Sequence, residues 1–390
     1  MIERRLTRTK LPRRNLLAAA ALAVLAACTV VPRAPVKTPT PAPAPTPRPS
    51  TLPSDEQRHR IALLVPLSGP NGAVGQSIAN AATMALMDTN AQNLRITNYD
   101  TSSNPAAAAS RALADGNELI LGPLLADDIP AVASAARPAK VPIISFSNDE
   151  DAAARDVYVM GNLPGQSIRR TVRYARAHGV STFGALVPKG DYGERASQAL
   201  IAEARAAGGT VVAMENYDRS TASIVAAARK LHARGTFDAV LIADSGSLSS
   251  RAAGQLKTGG AGPRLLGTEL WSGEKTVTAT PALDGAWFSS VSDSRFAQFS
   301  KSYRTRFGGQ PYRIATLGYD AVLLTLRVAR EWKVGKSFPA AALISSDGFL
   351  GLDGAFRFNR SGVVERALEV REIGGGTVKV VSPAAAKFDD

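Results

Sequence analysis

The chain has 390 residues, 45 % hydrophobic and 20 % charged. That is too long for one ordinary core, sufficient for two lobes, and too apolar for a wholly disordered chain. Its 46 basic and 33 acidic side chains give +13, which taken whole points to nucleic acid or another anionic partner. The single cysteine, Cys28, excludes intramolecular disulfides and multi-thiolate sites, and His59, His178 and His232 lack metal-ligand spacing. No metal or other cofactor is expected.

In chain order, residues 1–14 carry Arg4, Arg5, Arg8, Lys10, Arg13 and Arg14 against Glu3, and an apolar run follows from Leu16 to Ala27. A basic segment, a short apolar run and small residues make a secretory signal. The run is shorter than the roughly 20 residues that span a bilayer. It ends in Leu25-Ala26-Ala27-Cys28, which resembles the bacterial lipobox, whose cysteine is acylated after cleavage in front of it. The expectation is a signal peptide over 1–27 and a lipid-anchored mature chain facing the periplasm. Thr29, in place of an inner-membrane retention aspartate, favours the outer membrane. Pro12-Arg13-Arg14-Asn15-Leu16-Leu17 is loosely similar to a twin-arginine signal, and a merely basic segment explains it as well.

Residues 28–59 read as the lipidated cysteine and a linker. Nine prolines fall between Pro32 and Pro53, a composition that favours extended polyproline at about 3.1 Å per residue. Residues 1–27 remove six basic and one acidic charge, which leaves +8. Arg33, Lys37, Arg48, Arg58 and Arg60 against Asp55 and Glu56 place a further +3 on the linker and its junction with the folded part, which is counted from Ile61. The folded part keeps about +5, ordinary for its size, so nucleic acid is not an expected partner.

From Ile61 the sequence alternates apolar strands with helical segments. Strands are predicted at Ile61–Leu67, Leu94–Tyr99, Glu118–Gly122 and Val141–Phe146, with helices between them from Val74, Pro105 and Asp127. A second unit, from about 165 to 288, repeats the rhythm through GQSIRRTVRYARAHG, STFGALV, YGERASQALIAEARAAG, TVVAME, TASIVAAARKLHARG, FDAVLIAD and PRLLGT. Two helices are predicted in Arg295–Trp332, then strands around GAFRFN, ALEVREI and TVKVV. Fully apolar strands alternating with helices predict parallel sheets covered on both faces. The fold class is therefore α/β: two Rossmann-like lobes joined by a multi-strand hinge. Lobe 1 takes 60–162 plus about 289–345, and lobe 2 takes 163–288 plus about 346–390.

IALLVPLSGPNGAVGQSIANAATMALMD, ELILGP with VPIISFSND, Asp191-Tyr192-Gly193-Glu194, Gly318-Tyr319-Asp320-Ala321 and Gly354-Ala355-Phe356-Arg357-Phe358-Asn359 resemble, in order, type I periplasmic binding proteins of the leucine/isoleucine/valine-binding group. The resemblance implies a hinged pair of lobes with a ligand cleft at the carboxyl ends of the strands. It implies cleft candidates Ser68, Leu125, Ala126, Ser147, Asn148 and Asp149 in the first lobe and Tyr192, Asp244 and Glu269 in the second. Ala126 and Asp149 stand where the resemblance expects hydroxyl side chains that grip a carboxylate. A methyl donates nothing and an aspartate repels. Tyr192 matches a tyrosine packed over the ligand, and Glu269 matches the acid that receives an ammonium. An acidic cleft without a carboxylate clamp is expected, suited to a cation or a hydroxyl-rich solute.

Leu119-Ile120-Leu121-Gly122-Pro123-Leu124, Ser145-Phe146-Ser147-Asn148, Val159-Met160-Gly161-Asn162-Leu163-Pro164 and Ala185-Leu186-Val187-Pro188 are most similar to the lipoprotein activators of penicillin-binding proteins. This resemblance implies a non-catalytic regulator of peptidoglycan synthesis whose partner is a penicillin-binding protein. The best-known members of that branch carry a separate helical-repeat domain before the binding-protein fold, where this sequence has the linker. The alternative is a substrate-binding lipoprotein that feeds an ABC permease with an amino acid, amide or other small polar ligand. An enzyme is not expected. Ser272-Gly273-Glu274-Lys275 and Lys257-Thr258-Gly259 spell two motifs of penicillin-binding acyltransferases, but in reversed order and in loop-like sequence.

Overall fold

The computed structural model describes residues 57–258, 262–385 and 388, all within one compact unit, Arg48–Asp390. Cys28, the signal segment and most of the proline-rich linker lie outside the described residues.

The first lobe is built from β1 (His59–Val65), α1 (Gly72–Thr89), β2 (Leu94–Asp100), α2 (Pro105–Ala114), β3 (Leu119–Leu121), α3 (Ile129–Ala136), β4 (Ile143–Ser145) and β5 (Val157–Val159). Its five strands pair in the order β2-β1-β3-β4-β5, all parallel. Alternation decides the faces. Ile61, Leu63 and Val65 join one core layer, whereas Ala62 and Leu64 join the other, under α2 and α3. Each fully buried Ile or Leu contributes about 1.5–3 kcal/mol, so a one-residue slip would forfeit both layers at once. The helices start where the sequence can cap them. Asn104 accepts from Ala107 N (2.9 Å), and Pro105 takes the first helical position of α2.

The second lobe follows with α4 (Pro164–Ala177), β6 (Thr182–Pro188), α5 (Asp191–Ala206), β7 (Thr210–Tyr217), α6 (Thr221–Ala233), β8 (Ala239–Ile242), α7 (Gly246–Leu256), β9 (Arg264–Leu266), α8 (Lys275–Thr278) and β10 (Trp287–Ser290). The chain then returns to the first lobe through α9 (Phe296–Phe307) and α10 (Thr316–Val328), the latter packed beside α1 in the first core. It ends in β11 (Phe349–Gly351), β12 (Gly354–Phe358), β13 (Val364–Arg366), β14 (Glu369–Gly374) and β15 (Thr377–Ser382). The second sheet runs β15-β14-β10-β9-β8-β6-β7, with β14 and β15 antiparallel to their neighbours.

The α/β class and two-lobed architecture agree with the sequence reading, and three details differ. Residues from about 346 onward do not all go to the second lobe. β11–β13 form a separate small sheet whose Phe356, Phe358 and Val364 enter the first core, and only β14 and β15 extend the second sheet. α7 was not predicted, because Gly246-Ser247-Leu248-Ser249-Ser250 reads as a turn. Its Ser245 cap and the buried Ala252, Ala253 and Leu256 make it helical. The short strands β5, β10, β11 and β13 and the single-turn helix α8 are likewise absent from the sequence reading.

Three segments cross between the sheets: Met160–Leu163, Val291–Arg295 and Ala367–Leu368. A buried ionic network ties them together. Asp293 accepts from Arg313 (3.1 Å) and from Arg371 of β14, and Arg313 also reaches Asp353 (2.8 Å). Arg366 donates to the Met160 carbonyl (2.7 Å). Ser272, the serine of the enzyme-like motif, receives Arg371 (3.3 Å) and so belongs to this network.

Candidate functional site

In an open parallel sheet the ligand crevice lies at the carboxyl ends of the strands, where neighbouring crossovers leave in opposite directions. Here that places it beside the loops after β1 and β3 in the first lobe and after β6 and β8 in the second.

The first lobe's polar groups at this edge are bonded to one another. Ser68 Oγ donates to Asp100 (3.1 Å), which also accepts from Leu67 N (2.8 Å). These bonds, the Leu67 N–H foremost, hold Asp100 down at about 2. Ser145 Oγ donates to the Pro123 carbonyl (2.9 Å) and accepts from Ser147 N (3.1 Å), while Ser147 Oγ accepts from Asp149 N (3.0 Å). The Ser68 and Ser145 hydroxyl hydrogens are thus used within the lobe, whereas Ser147 accepts through its oxygen. Leu125 is exposed and Ala126 opens a short 3-10 turn, so neither side chain offers a donor, and Asn148 is half-buried.

The second lobe's edge is built differently. β6 ends in Pro188, and α5 begins so close behind it that a Cβ on Gly193 would stand 1.6 Å from the Pro188 carbonyl oxygen. Only glycine lets the helix start there, and the start sets Tyr192 over the crevice side of the loop. Gly267 serves the same purpose after β9, since a Cβ would meet the Trp271 ring at 2.2 Å. Trp271 Nε1 donates to the Asp244 carbonyl (3.1 Å), tying the Glu269 turn to the end of β8.

The structure brings Tyr192 and Glu269 together: the tyrosine hydroxyl donates to Glu269 Oε1 (3.0 Å), with Thr268 Oγ1 at 2.9 Å. Burial, and then the glutamate's charge, push Tyr192 well above its ordinary range. Burial also pushes Glu269 up to about 7, against bonds from Tyr192 and neighbouring groups that lower it. Ser167 lies close by, but its hydroxyl hydrogen goes to the Ser289 carbonyl (2.6 Å). Glu269 Oε2 is therefore buried without a donor.

The other two acids are already matched. Asp244 accepts from Tyr217 (2.8 Å) and Ser245 N (2.7 Å) and pairs with Arg219 (3.4 Å), whose guanidinium also lies 5.5 Å from the Tyr192 ring centre. Asp149, from the first lobe, pairs with Arg195 of α5 (3.2 Å). The cleft is thus less acidic than the sequence suggests, because two arginines reach it. Arg195 sits three residues after Tyr192, the spacing that puts two side chains on one helical face, but that spacing alone does not tell a cleft residue from a solvated one. Arg219, in the loop after β7, has no signal in the sequence. The site can accept a hydrogen-bond donor or cation at Glu269. Among the described residues no His/Cys/Asp/Glu cluster could hold a metal ion, and no helix is long and apolar enough to cross a membrane.

Residues 59–376 match the family of periplasmic binding proteins. Among solved structures, the chain is similar to a putative branched-chain amino acid ABC transporter protein from Rhodospirillum rubrum. The TM-score is 0.72 at 21 % identity, over 83 % of this chain and 100 % of that one. It is also similar to a Rhodopseudomonas palustris solute-binding protein in complex with 3,4-dihydroxybenzoic acid (TM-score 0.69, 17 % identity, 86 % and 98 % covered) and to the leucine-binding protein LivK of Thermotoga maritima (0.65, 20 %, 84 % and 98 %). At these identities the likeness is one of fold. An uncharacterized Rickettsia prowazekii protein is 31 % identical over 153 residues, which span 38 % of this chain and 41 % of that protein.

Proposed function

We propose, from the premise that this chain belongs to the periplasmic binding protein family, that it is a non-catalytic solute receptor of the cell envelope. It would be anchored through Cys28 and deliver a small polar solute to an ABC permease. The observation that carries this reading is Glu269: a carboxylate with one oxygen bonded to Tyr192 and the other buried without a donor. A buried acceptor without a partner costs about 1–3 kcal/mol, so a solute that brings an amide, hydroxyl or ammonium donor recovers that loss on binding. In the first lobe Ser68 and Ser145 donate their hydroxyl hydrogens to Asp100 and to the Pro123 carbonyl, which weakens a carboxylate clamp there and favours amides, polyamines and hydroxylated solutes over free amino acids.

A second reading, regulation of a penicillin-binding protein, is favoured by a different observation. Asp149 and Arg195 join the lobes through their own side chains, as suits a fold used for its outer surface. One two-armed experiment separates the readings. A thermal-shift screen of amino acids, amides, polyamines, sugars and aromatic acids should yield a stabilising compound, because a ligand at 100 times its Kd stabilises a fold by about 2.7 kcal/mol. The other arm measures glycan polymerisation and cross-linking by a bifunctional penicillin-binding protein with and without the chain. Stimulation together with a blank screen would replace the receptor reading with the regulator.

A further inference from the structure

The Asp149–Arg195 pair joins the two lobes across the cleft. Asp149 follows β4 in the first lobe, and Arg195 lies on α5 in the second. Their side chains are only 20 % and 18 % exposed at a separation of 3.2 Å, so solvent screens the pair less than an ordinary surface bridge. The aspartate is held in place from its own side. Its other oxygen accepts from Asp151 N (3.1 Å), and its backbone N–H goes to Ser147. It therefore presents one oxygen to the guanidinium and cannot turn to present both. Arg195 Nε is left buried without an acceptor, although a guanidinium presents a fork that suits two oxygens at once.

The position of the pair gives it a mechanical meaning. Arg195 lies less than one helical turn, about 5 Å, from Tyr192 along α5. Next to it, Gly165 at the start of α4 faces both Glu150 and Ala199, whose atoms lie 3.9 and 3.8 Å from where its Cβ would be. The Asp149–Glu150 loop of one lobe thus rests on the α4–α5 face of the other. A hinge opening that admits a solute to Tyr192 and Glu269 must lengthen the 3.2 Å pair. We infer that Asp149 and Arg195 form an interlobe latch, in which the first lobe's own carboxylate takes the guanidinium position open to an anionic ligand group and holds the lobes together without solute.

The test is an interlobe distance measured in the absence of any solute, so its outcome is independent of whether a ligand for Glu269 is ever found. Spin labels are placed on Asp127→Cys and Lys189→Cys, exposed positions on the two cleft rims, in the full chain carrying Cys28→Ser. The unlatched distances are expected in a minor fraction of the parent. Asp149→Asn and Arg195→Gln should each raise the ratio of long to short distances roughly fivefold or more, the effect of about 1 kcal/mol. The double variant should go no further than either single one, because both remove one contact. Asp149→Glu, which keeps the charge, should keep the short distance. A parent already dominated by long distances, or single variants with the parent's distribution, would overturn the latch. Near-ultraviolet circular dichroism of each variant separates a released latch from a lost fold.

Discussion

In both lobes the first strand runs into a proline, and a helix glycine lies against that proline's carbonyl. The pair is Pro66 with Gly75 in the first lobe and Pro188 with Gly193 in the second, where an added Cβ would stand 1.8 and 1.6 Å from the carbonyl oxygen. Beyond this shared turn the lobes part. Ser68 and Ser145 in the first donate their hydroxyl hydrogens within their own lobe, whereas the second leaves Glu269 Oε2 and Arg195 Nε buried without partners. One architecture has been given two tasks. The first lobe's edge is bonded largely within itself, apart from the buried Thr101 Oγ1, and the second lobe's edge is completed by something from outside it, whether Asp149 or a solute.

The largest expected effect falls on what the lobes share. Gly75→Ala and Gly193→Ala each drive a Cβ into a backbone oxygen that cannot rotate away, so the strand–helix turn must open. We expect each to lower the unfolding free energy by at least about 3 kcal/mol, the upper range of overpacking, as read from urea denaturation. A loss at one position and not the other would mean that the two turns are alike in shape only.

The next effect separates the lobes. Glu269 is raised from 4.5 to about 7 in the fold by burial, so the folded chain binds more protons than the unfolded one between these values. Its contribution therefore falls as pH rises through that window and stays reduced above it, by on the order of 3 kcal/mol. Glu269→Gln removes the ionisation. The variant should match the parent near pH 4 and exceed its stability at pH 8 by up to about that amount. Buried Asp320, also raised to about 7 beside Asp353, acts in the same direction and remains in both proteins. The diagnostic is thus the difference between variant and parent across pH. A flat difference would remove Glu269 from the buried site.

Much of this was legible from the chain. The alternation Ile61-Ala62-Leu63-Leu64-Val65 already divides the residues between two core layers, and the Asn104-Pro105 pair marks a helix start. Tyr192 and Glu269 were legible as candidates through the resemblance to the leucine/isoleucine/valine-binding group, which implies a tyrosine and an acid at these positions. α7 was not, because its serines and glycine favour turns until Ser245 caps them and α6 covers its apolar face. Nor were Arg195 and Arg219. An arginine in YGERASQ reads as a solvated helix face, and only the folded chain brings it to an aspartate of the other lobe. Strand periodicity reports local burial, whereas pairing of charges across a cleft depends on the hinge. The division of residues after 346 between the lobes depends on it too.

The smallest effect tests whether the first lobe's edge is as finished as its bonds suggest. Ser145 is fully buried, and its hydroxyl both donates to the Pro123 carbonyl and accepts from Ser147 N. Ser145→Ala strands the Ser147 N–H in a site closed to water and leaves the Pro123 carbonyl with its bond from Phe146 N alone, at a cost of about 1–3 kcal/mol, measurable as a lower urea midpoint with an unchanged slope. If the hydroxyl serves only the loop, a compound that stabilises the parent should stabilise the variant by the same increment, because the solute has lost no contact. If the increment disappears with the hydroxyl, Ser145 must exchange its partners for the ligand when the cleft is occupied. The contrast between a finished lobe and an incomplete one would then hold only for the empty protein.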